Sequence, residues 1–263
     1  MTQTPVGTHE HSDNEAFIIV KAAPRPSQAH GVTVCSAAID RNGNWVRLYP
    51  ISFAHLKPEQ RFRRWDRISY RSRRPRTMSD GRQESRRVDA ESIEIIGRLR
   101  EDDRHRFVER SVVTSLKNER TAGRSLAPLK PEVLEFWYER QTDEEAAETQ
   151  ATRKALIAQG DLFARTEPLS VNGIPFKFMY RYRDADGIHT GTCQDWETEA
   201  TFQRRRSEFG SERQALDWMV HKFGIELPKG GLAFAMGTHR YRHDQWLING
   251  IVQYRTQAQG SFL

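Results

Sequence analysis

Short apolar runs, bounded by turn residues, mark the first part of the chain: AFIIVKA, GVTVCSAAI, NWVRLYP, then WDRISY and SIEIIGRL. Each is too short for a helix and rich in β-branched or aromatic residues, so each predicts a strand. The second and third runs flank Asp40-Arg41-Asn42-Gly43. Asn-Gly between two apolar runs predicts a tight hairpin with positive φ at both turn residues. Together these runs predict a strongly bent sheet or a small barrel.

The periodicity then changes. Phe107, Val108, Val112 and Leu116 fall near helical spacing and predict a helix over 102–118. KPEVLEFWYER reads as extended. DEEAAETQATRKALIAQG reads as a helix, acidic in its first turns and closed by Gly160. Beyond it, IPFKFMYRYR alternates as a strand and Asp184-Ala185-Asp186-Gly187 forms a turn. HTGTCQDWE leads into a basic helix through ATFQRRRS, and SERQALDWMVHKFG is a helix ending at Gly224. GLAFAMGT and QWLINGIVQY close the chain as two strands joined by HRYRHD. The fold class is therefore α+β: a bent N-terminal sheet or small barrel, a helical middle, and a mixed C-terminal region sharing one core. The acidic helix near 143–160 is the best boundary. It gives a disordered tail over 1–15, a β-rich nucleic-acid-binding region over 16–142 and an α+β region over 143–263.

Composition narrows the function. The 263 residues include 6 Trp, 13 Phe and 7 Tyr, enough large apolar side chains for a core despite 29% charged residues. The polar start, MTQTPVGTHEHSDNE, has no apolar segment of a secretory leader, and no run is long and apolar enough to span a membrane. Its His9-Glu10-His11 triplet reads as a flexible surface tract, not a metal site. Two cysteines, Cys35 and Cys193, give neither a disulfide framework nor zinc-ligand spacing. The expectation is a cytoplasmic protein with no membrane association and no obligate protein partner.

Charge points to a partner. The net charge is +6, and 33 of the 41 basic residues are Arg. A guanidinium fits phosphate and guanine edges with a planar fork of donors and stacks on aromatic faces. Residues 61–87 hold eleven Arg against Asp66, Asp80 and Glu84, a local excess above that of the whole chain. Arg63, Arg64, Arg73, Arg74 and Arg76 are candidates for phosphate contacts, with Arg47 from the preceding strand and His239, Arg240 and Arg242 from the last hairpin. The alternative is a solvated loop paired with the acidic stretch around Asp143-Glu144-Glu145. The expected partner is nucleic acid, double-stranded phage DNA foremost.

Common catalytic signatures are missing: no GxxxxGK[ST], no GxGxxG after a strand, no HExxH, and no HxE with a later PCxxC. No cofactor and no metal ligand is signalled. The densest polar group is Gln194-Asp195-Trp196-Glu197, at a predicted strand-to-helix junction. Asp195 there suits catalysis and helix capping equally. His189, His239 and His243 read as surface donors. Asp40 suits a turn, where Asp bonds the local backbone. Trp45 and Tyr49, one strand face with Arg47, suit base stacking or core packing, as does Trp196.

TVCSAAIDRNGNWVRLYP, IPFKFMYRYR with CQDWE, and LAFAMGTHRYRHDQWLINGIV together resemble a family of uncharacterised bacterial proteins. The chain also resembles a phage-defence DNA glycosylase that removes glucosylated hydroxymethylcytosine. Gln194-Asp195 is similar to the water-activating Gln-Asp of uracil glycosylases, which continues Pro-Tyr where this chain has Trp196-Glu197. The resemblance implies base excision with Asp195, Glu197, Gln194 or Asp40 as catalytic groups, Trp45, Tyr49 and Trp196 against the base, and no cofactor. A non-enzymatic reader of modified DNA or structured RNA, or a nuclease, is the alternative.

Overall fold

The computed structural model describes residues 12–22, 25–27, 31–51, 56–75, 80–158, 174–239 and 242–254. The strands are β1 Ser12–Lys21, β2 Arg25–Ser27, β3 Gly31–Asp40, β4 Trp45–Ile51, β5 Asp66–Arg73, β6 Ser85–Val88 and β7 Glu94–Arg98. After them come α1 Glu101–Glu109, α2 Leu116–Thr121, β8 Leu126–Leu129, β9 Glu132–Arg140 and α3 Asp143–Ala158. The chain continues through β10 Phe176–Asp184, β11 Gly187–Thr192, α4 Trp196–Phe209 and α5 Glu212–His221. A π-helical turn, Lys222–Glu226, leads into α6 Leu227–Lys229, and β12 Leu232–Thr238 and β13 Trp246–Gln253 follow. The protein is α+β, as its sequence predicts.

The strand runs of the first half close into a five-stranded barrel in the order β1-β3-β4-β6-β5, with β5 returning to β1. All its pairings are antiparallel except β4 with β6. The period-2 pattern works as written in β5, where Ile68, Tyr70 and Ser72 point inward and Arg67, Arg71 and Arg73 outward. Ala16, Ile18, Ala38, Val46, Leu48, Ile68, Tyr70 and Val88 fill the barrel.

β1, β3 and β4 are apolar on their outer faces too, because a second layer covers them. Ile19, Val20, Ala37, Ile39 and Trp45 pack outward against Leu126, Ala233, Ala235 and Val252. Those partners belong to a three-stranded sheet ordered β13-β12-β8. The contact is close at Gly250, where a Cβ would lie 2.2 Å from a Val20 methyl, so only glycine lets β13 approach β1. The third sheet, β11-β10-β9, shares the C-terminal core with α4 and α5 through Phe136, Phe178, Tyr180, Phe202, Met219 and Phe234.

Several expectations need correction. Residues 12–15 are strand, not tail: Ser12–Phe17 pair with Ser72–Arg67, and residues 1–11, with His9 and His11, lie outside the described residues. Among the residues of the hairpin turn only Gly43 has positive φ, at +84°. The Gly43 amide bonds the Asp40 carbonyl and the Asp40 amide bonds the Asn44 carbonyl, a longer turn than the two-residue type expected. The helix expected over 102–118 splits into α1 and α2. Val113 bridges to Leu129 between them, and the Ser115 hydroxyl caps α2 by accepting from the Asn118 amide. The helix expected to stop at Gly224 runs on through the π turn to Lys229. The Arg-rich run is not one solvated loop: it contains β5 and runs into β6, which begins at Ser85. β8 and β9, grouped by sequence with the N-terminal region, pair with β12 and β10 instead.

Candidate nucleic-acid interface

The ten described arginines of 61–87 do not form one patch. A strand that alternates sides and a barrel that turns send them in different directions. Arg67 pairs with Glu15 at 2.5 Å and Arg71 with Asp89 at 2.8 Å on the outer surface. Arg82 forks onto Asp80 with two 2.8 Å bonds and donates to the Thr238 carbonyl, a buried cross-link to β12. That fork and the Ser85 hydroxyl hold the Asp80 carboxyl well below the usual range, although burial opposes them. Arg63 and Arg73 are exposed, and Arg76 lies outside the described residues. The acidic stretch at 143–145 is not their counterweight: Glu145 pairs with Lys177 at 2.9 Å.

Arg64 turns inward. Trp65 sits at φ +72°, a region costly for a bulky residue, held by its amide on the Ile18 carbonyl at 2.6 Å and its carbonyl on the Leu99 amide at 2.8 Å. The adjacent Arg64 reaches across to β13. Its Nη1 donates to the Ile251 carbonyl at 2.6 Å, its Nη2 lies 3.4 Å from Asp195 Oδ2, and its Nε lies 3.3 Å from Glu197 Oε1. Asp195 is 2% exposed. Its Oδ1 accepts from the Glu197 amide, capping α4, and its Oδ2 accepts from the Ile251 amide at 2.9 Å. Burial lifts the Asp195 carboxyl to about 6; Arg64 works against that rise and Glu197 with it. Gln194 donates its backbone amide to the Ile248 carbonyl. Asp195 is thus a cap and a cross-link in a closed clamp, with both oxygens engaged. Trp196 is 4% exposed, so its ring is packed rather than offered to a base.

Other expected residues are also used internally. Asp40 Oδ1 accepts from the Asn42 and Asn44 amides at 2.9 Å each, which fixes the hairpin turn. Trp45 is 7% exposed and its Nε1 donates to the Ser111 hydroxyl. Arg47 is buried, donating to the Ser85 and Ser125 hydroxyls and to the Ser125 carbonyl. Burial and nearby Arg82 lower its guanidinium to about 10. Tyr49 is half-buried. His189 bonds Asp184 at 2.8 Å. His239 accepts from the Arg242 amide at 3.2 Å on the last hairpin, Arg242 and His243 are exposed, and Arg240 lies outside the described residues.

What the structure does bring together is a groove of about 520 Å³ between the barrel and the 110–128 segment. The barrel wall is Gly43–Val46, Arg74 and Gln83, Glu84 and Arg86. The facing wall is Arg110, Ser111, Val113, Glu119, Arg124, Leu126 and Pro128. Arg74, Arg86 and Arg110 form no ion pair among the described residues. Arg124 forks onto Glu119. Glu84 accepts from the Ser125 amide and hydroxyl, both at 2.7 Å, and so ties the two walls together below the opening. The Gln83 amide does the same at the rim, donating to the Gly123 carbonyl at 2.7 Å. Asp195, Glu197 and Gln194 are not among the residues lining this groove.

Of the candidates read from sequence, Arg74 and Trp45 line the groove. Arg86 was visible in the basic run but not distinguishable from its neighbours. Arg110, Glu119 and Arg124 carried no signal, because they reach the groove only through the packing of β8 on the barrel. None of the described helices is long and apolar enough to cross a membrane, and the described residues contain no cluster suited to a metal ion. Cys35 is exposed and Cys193 buried, and neither forms a disulfide.

No curated protein matches the chain. A family model described as a domain of unknown function, DUF8758, matches residues 12–113, which span the barrel and α1. A second, DUF8757, matches residues 109–263. The two meet at 109–113, where Arg110 and Ser111 enter the groove. The second match covers more than half of the chain, which therefore belongs to the DUF8757 family, a domain of unknown function.

Proposed function

We propose that this is a cytoplasmic nucleic-acid-binding protein, and that the groove between the barrel and β8 is its recognition element. The observation behind this reading is the convergence of Arg74, Arg86 and Arg110 on one opening without ion-pair partners among the described residues. Each of the three guanidiniums offers a planar fork of donors suited to phosphate. Small five-stranded barrels such as OB-folds often present a strand face to oligonucleotides. Here the outer faces of β1, β3 and β4 are covered by the β13-β12-β8 sheet, so that analogy carries no weight for the covered strands. The groove is the part of the β4 side left open.

The test is binding of a labelled oligonucleotide as a function of salt. On duplex DNA each phosphate contact contributes about 0.9 to the log–log slope. Replacing Arg86 and Arg110 with Gln should weaken binding at least tenfold and reduce the slope by about 2. An unchanged slope refutes the groove as the binding surface.

A second reading is base excision, with glucosylated cytosine in phage DNA as the substrate. It is favoured by two carboxylates, Glu84 and Glu119, that line the same groove as the arginines. Excision needs a carboxylate near the sugar to activate water or meet positive charge. The sequence candidates Asp195 and Glu197 belong to the clamp, so Glu119 takes first place as the group to test. Incubation with normal and glucosylated phage DNA should yield abasic sites in the modified DNA alone. Binding without abasic sites leaves the reader and removes the enzyme.

A further inference from the structure

The groove contains more than positive charge. Glu84 and Glu119 are both nearly buried and both border it. Each Glu84 oxygen accepts one hydrogen bond, from the Ser125 amide and from the Ser125 hydroxyl. Each Glu119 oxygen accepts one from Arg124. A carboxylate has about four lone-pair sites, so both retain acceptor capacity. A ligand that fills this groove must therefore satisfy two demands at once. It must present negative charge to Arg74, Arg86 and Arg110, and it must bring hydrogen-bond donors to Glu84 and Glu119. A bare phosphate satisfies the first and brings no donor for the second.

Size adds a constraint. Some 520 Å³ is the scale of a pocket for a single small ligand, not of a channel for a double helix. The major groove alone of B-DNA is about 12 Å wide, and the duplex is wider still. A volume of this scale suits one nucleotide.

Resting on the reading of the groove as a nucleic-acid site, we propose that it accepts one unpaired nucleotide whose base carries an exocyclic amine, as cytosine, adenine and guanine do and thymine and uracil do not, with the amine donating to Glu119 or Glu84. Carboxylates accept from cytosine N4 in this way, whereas thymine and uracil present a carbonyl oxygen at that position. The nucleotide comes either from a single strand or from a duplex that releases it, and both sources present the same chemistry.

Fluorescence anisotropy of the intact protein with labelled dC, dA and dT oligomers and with a duplex tests this. The wild type should bind dC and dA oligomers at least tenfold more tightly than dT. Glu119→Gln should bring the three within about threefold, chiefly by improving dT, because a negative charge is lost and an amide donor gained. Arg86→Gln should weaken all three alike. A general packing role for Glu119 would shift every oligomer together and would be visible in the melting temperature. A duplex carrying 2-aminopurine separates the two sources. Brightening on binding indicates release from the helix, and single-strand binding tighter than duplex binding without brightening indicates the other source. Equal affinity for dC, dA and dT in the wild type overturns the base preference and leaves nucleic-acid binding standing. No binding to any oligomer or duplex overturns both.

Discussion

Barrel and C-terminal sheet meet along one seam, and its two edges treat charge in opposite ways. At the β13 edge, Arg64 meets Asp195, Glu197 and the Ile251 carbonyl, and Asp195 meets two backbone amides. At the β8 edge, Arg74, Arg86 and Arg110 surround an opening without carboxylate partners among the described residues. Between the edges lies a dry contact of Ile19, Val20, Ala37, Ile39, Ala233, Ala235 and Val252. At the first edge the buried Asp195 has both oxygens engaged by protein groups; at the second, three arginines line an opening and none forms an ion pair among the described residues. A polar cluster signals binding only when its members outnumber their internal partners. By that criterion the Gln194–Glu197 element, the densest polar group in the sequence, is architecture, and the inconspicuous Arg110 is a candidate for function.

The largest effect should come from the polar group beneath the groove. Arg47 is 6% exposed and joins Ser85 of the barrel to Ser125 before β8. Its removal leaves Glu84 and Asp80 with less positive charge nearby. Arg47→Ala should destabilise the protein by about 3–5 kcal/mol, the range for losing one partner of a buried charged group. Chemical denaturation is the check. A loss below about 1 kcal/mol would mean that the two edges are not held by a common polar core.

A smaller effect, with a distinct pH signature, belongs to the clamp. Burial raises Asp195 to about 6 in the folded protein, from an ordinary value of 3.8. The native state then binds more protons than the unfolded state between those values. Stability from this group is therefore fully present below about 4 and is lost as pH rises through about 6. Asp195→Asn keeps an oxygen for the Glu197 amide but does not ionise. The variant should gain on the wild type as pH rises from 4 to 7, by up to about 3 kcal/mol. Parallel stability–pH curves for the two proteins would show that Arg64 fully offsets the burial of Asp195.

The barrel and most elements were legible because local patterns settle them. In β5 the alternation of Ile68, Tyr70 and Ser72 with Arg67, Arg71 and Arg73 states both the strand and its two faces. β1, β3 and β4 are harder, since residues such as Val46 and Trp45 are buried on opposite faces and the run looks uniformly apolar. The uniformity follows from the second layer that covers the barrel. One helix over 102–118 is the wrong expectation because Val112 keeps a helical spacing from Val108, while Val113 and Ser115 are committed to β8 and to the cap of α2. The groove was least legible. Arg74, Arg110 and Arg124 lie far apart in the chain, and only the seating of β8 against β4 makes them neighbours.

The smallest effect separates residues that the sequence treats alike. Arg63 and Arg74 both belong to the basic run, and both are exposed. Arg74 lines the groove, whereas Arg63 does not. Neither substitution to Gln should change stability by more than about 0.5 kcal/mol, the range for surface positions away from special contacts. Binding should distinguish them. Arg74→Gln should lower the salt slope by about 1, the contribution of one phosphate contact, and Arg63→Gln should leave it unchanged. If local charge density alone governed binding, the two variants would behave identically, since each removes one positive charge from the same stretch of chain. If the bound strand extended over the barrel surface, Arg63→Gln would show the larger change. Only the groove requires that the two differ in this order.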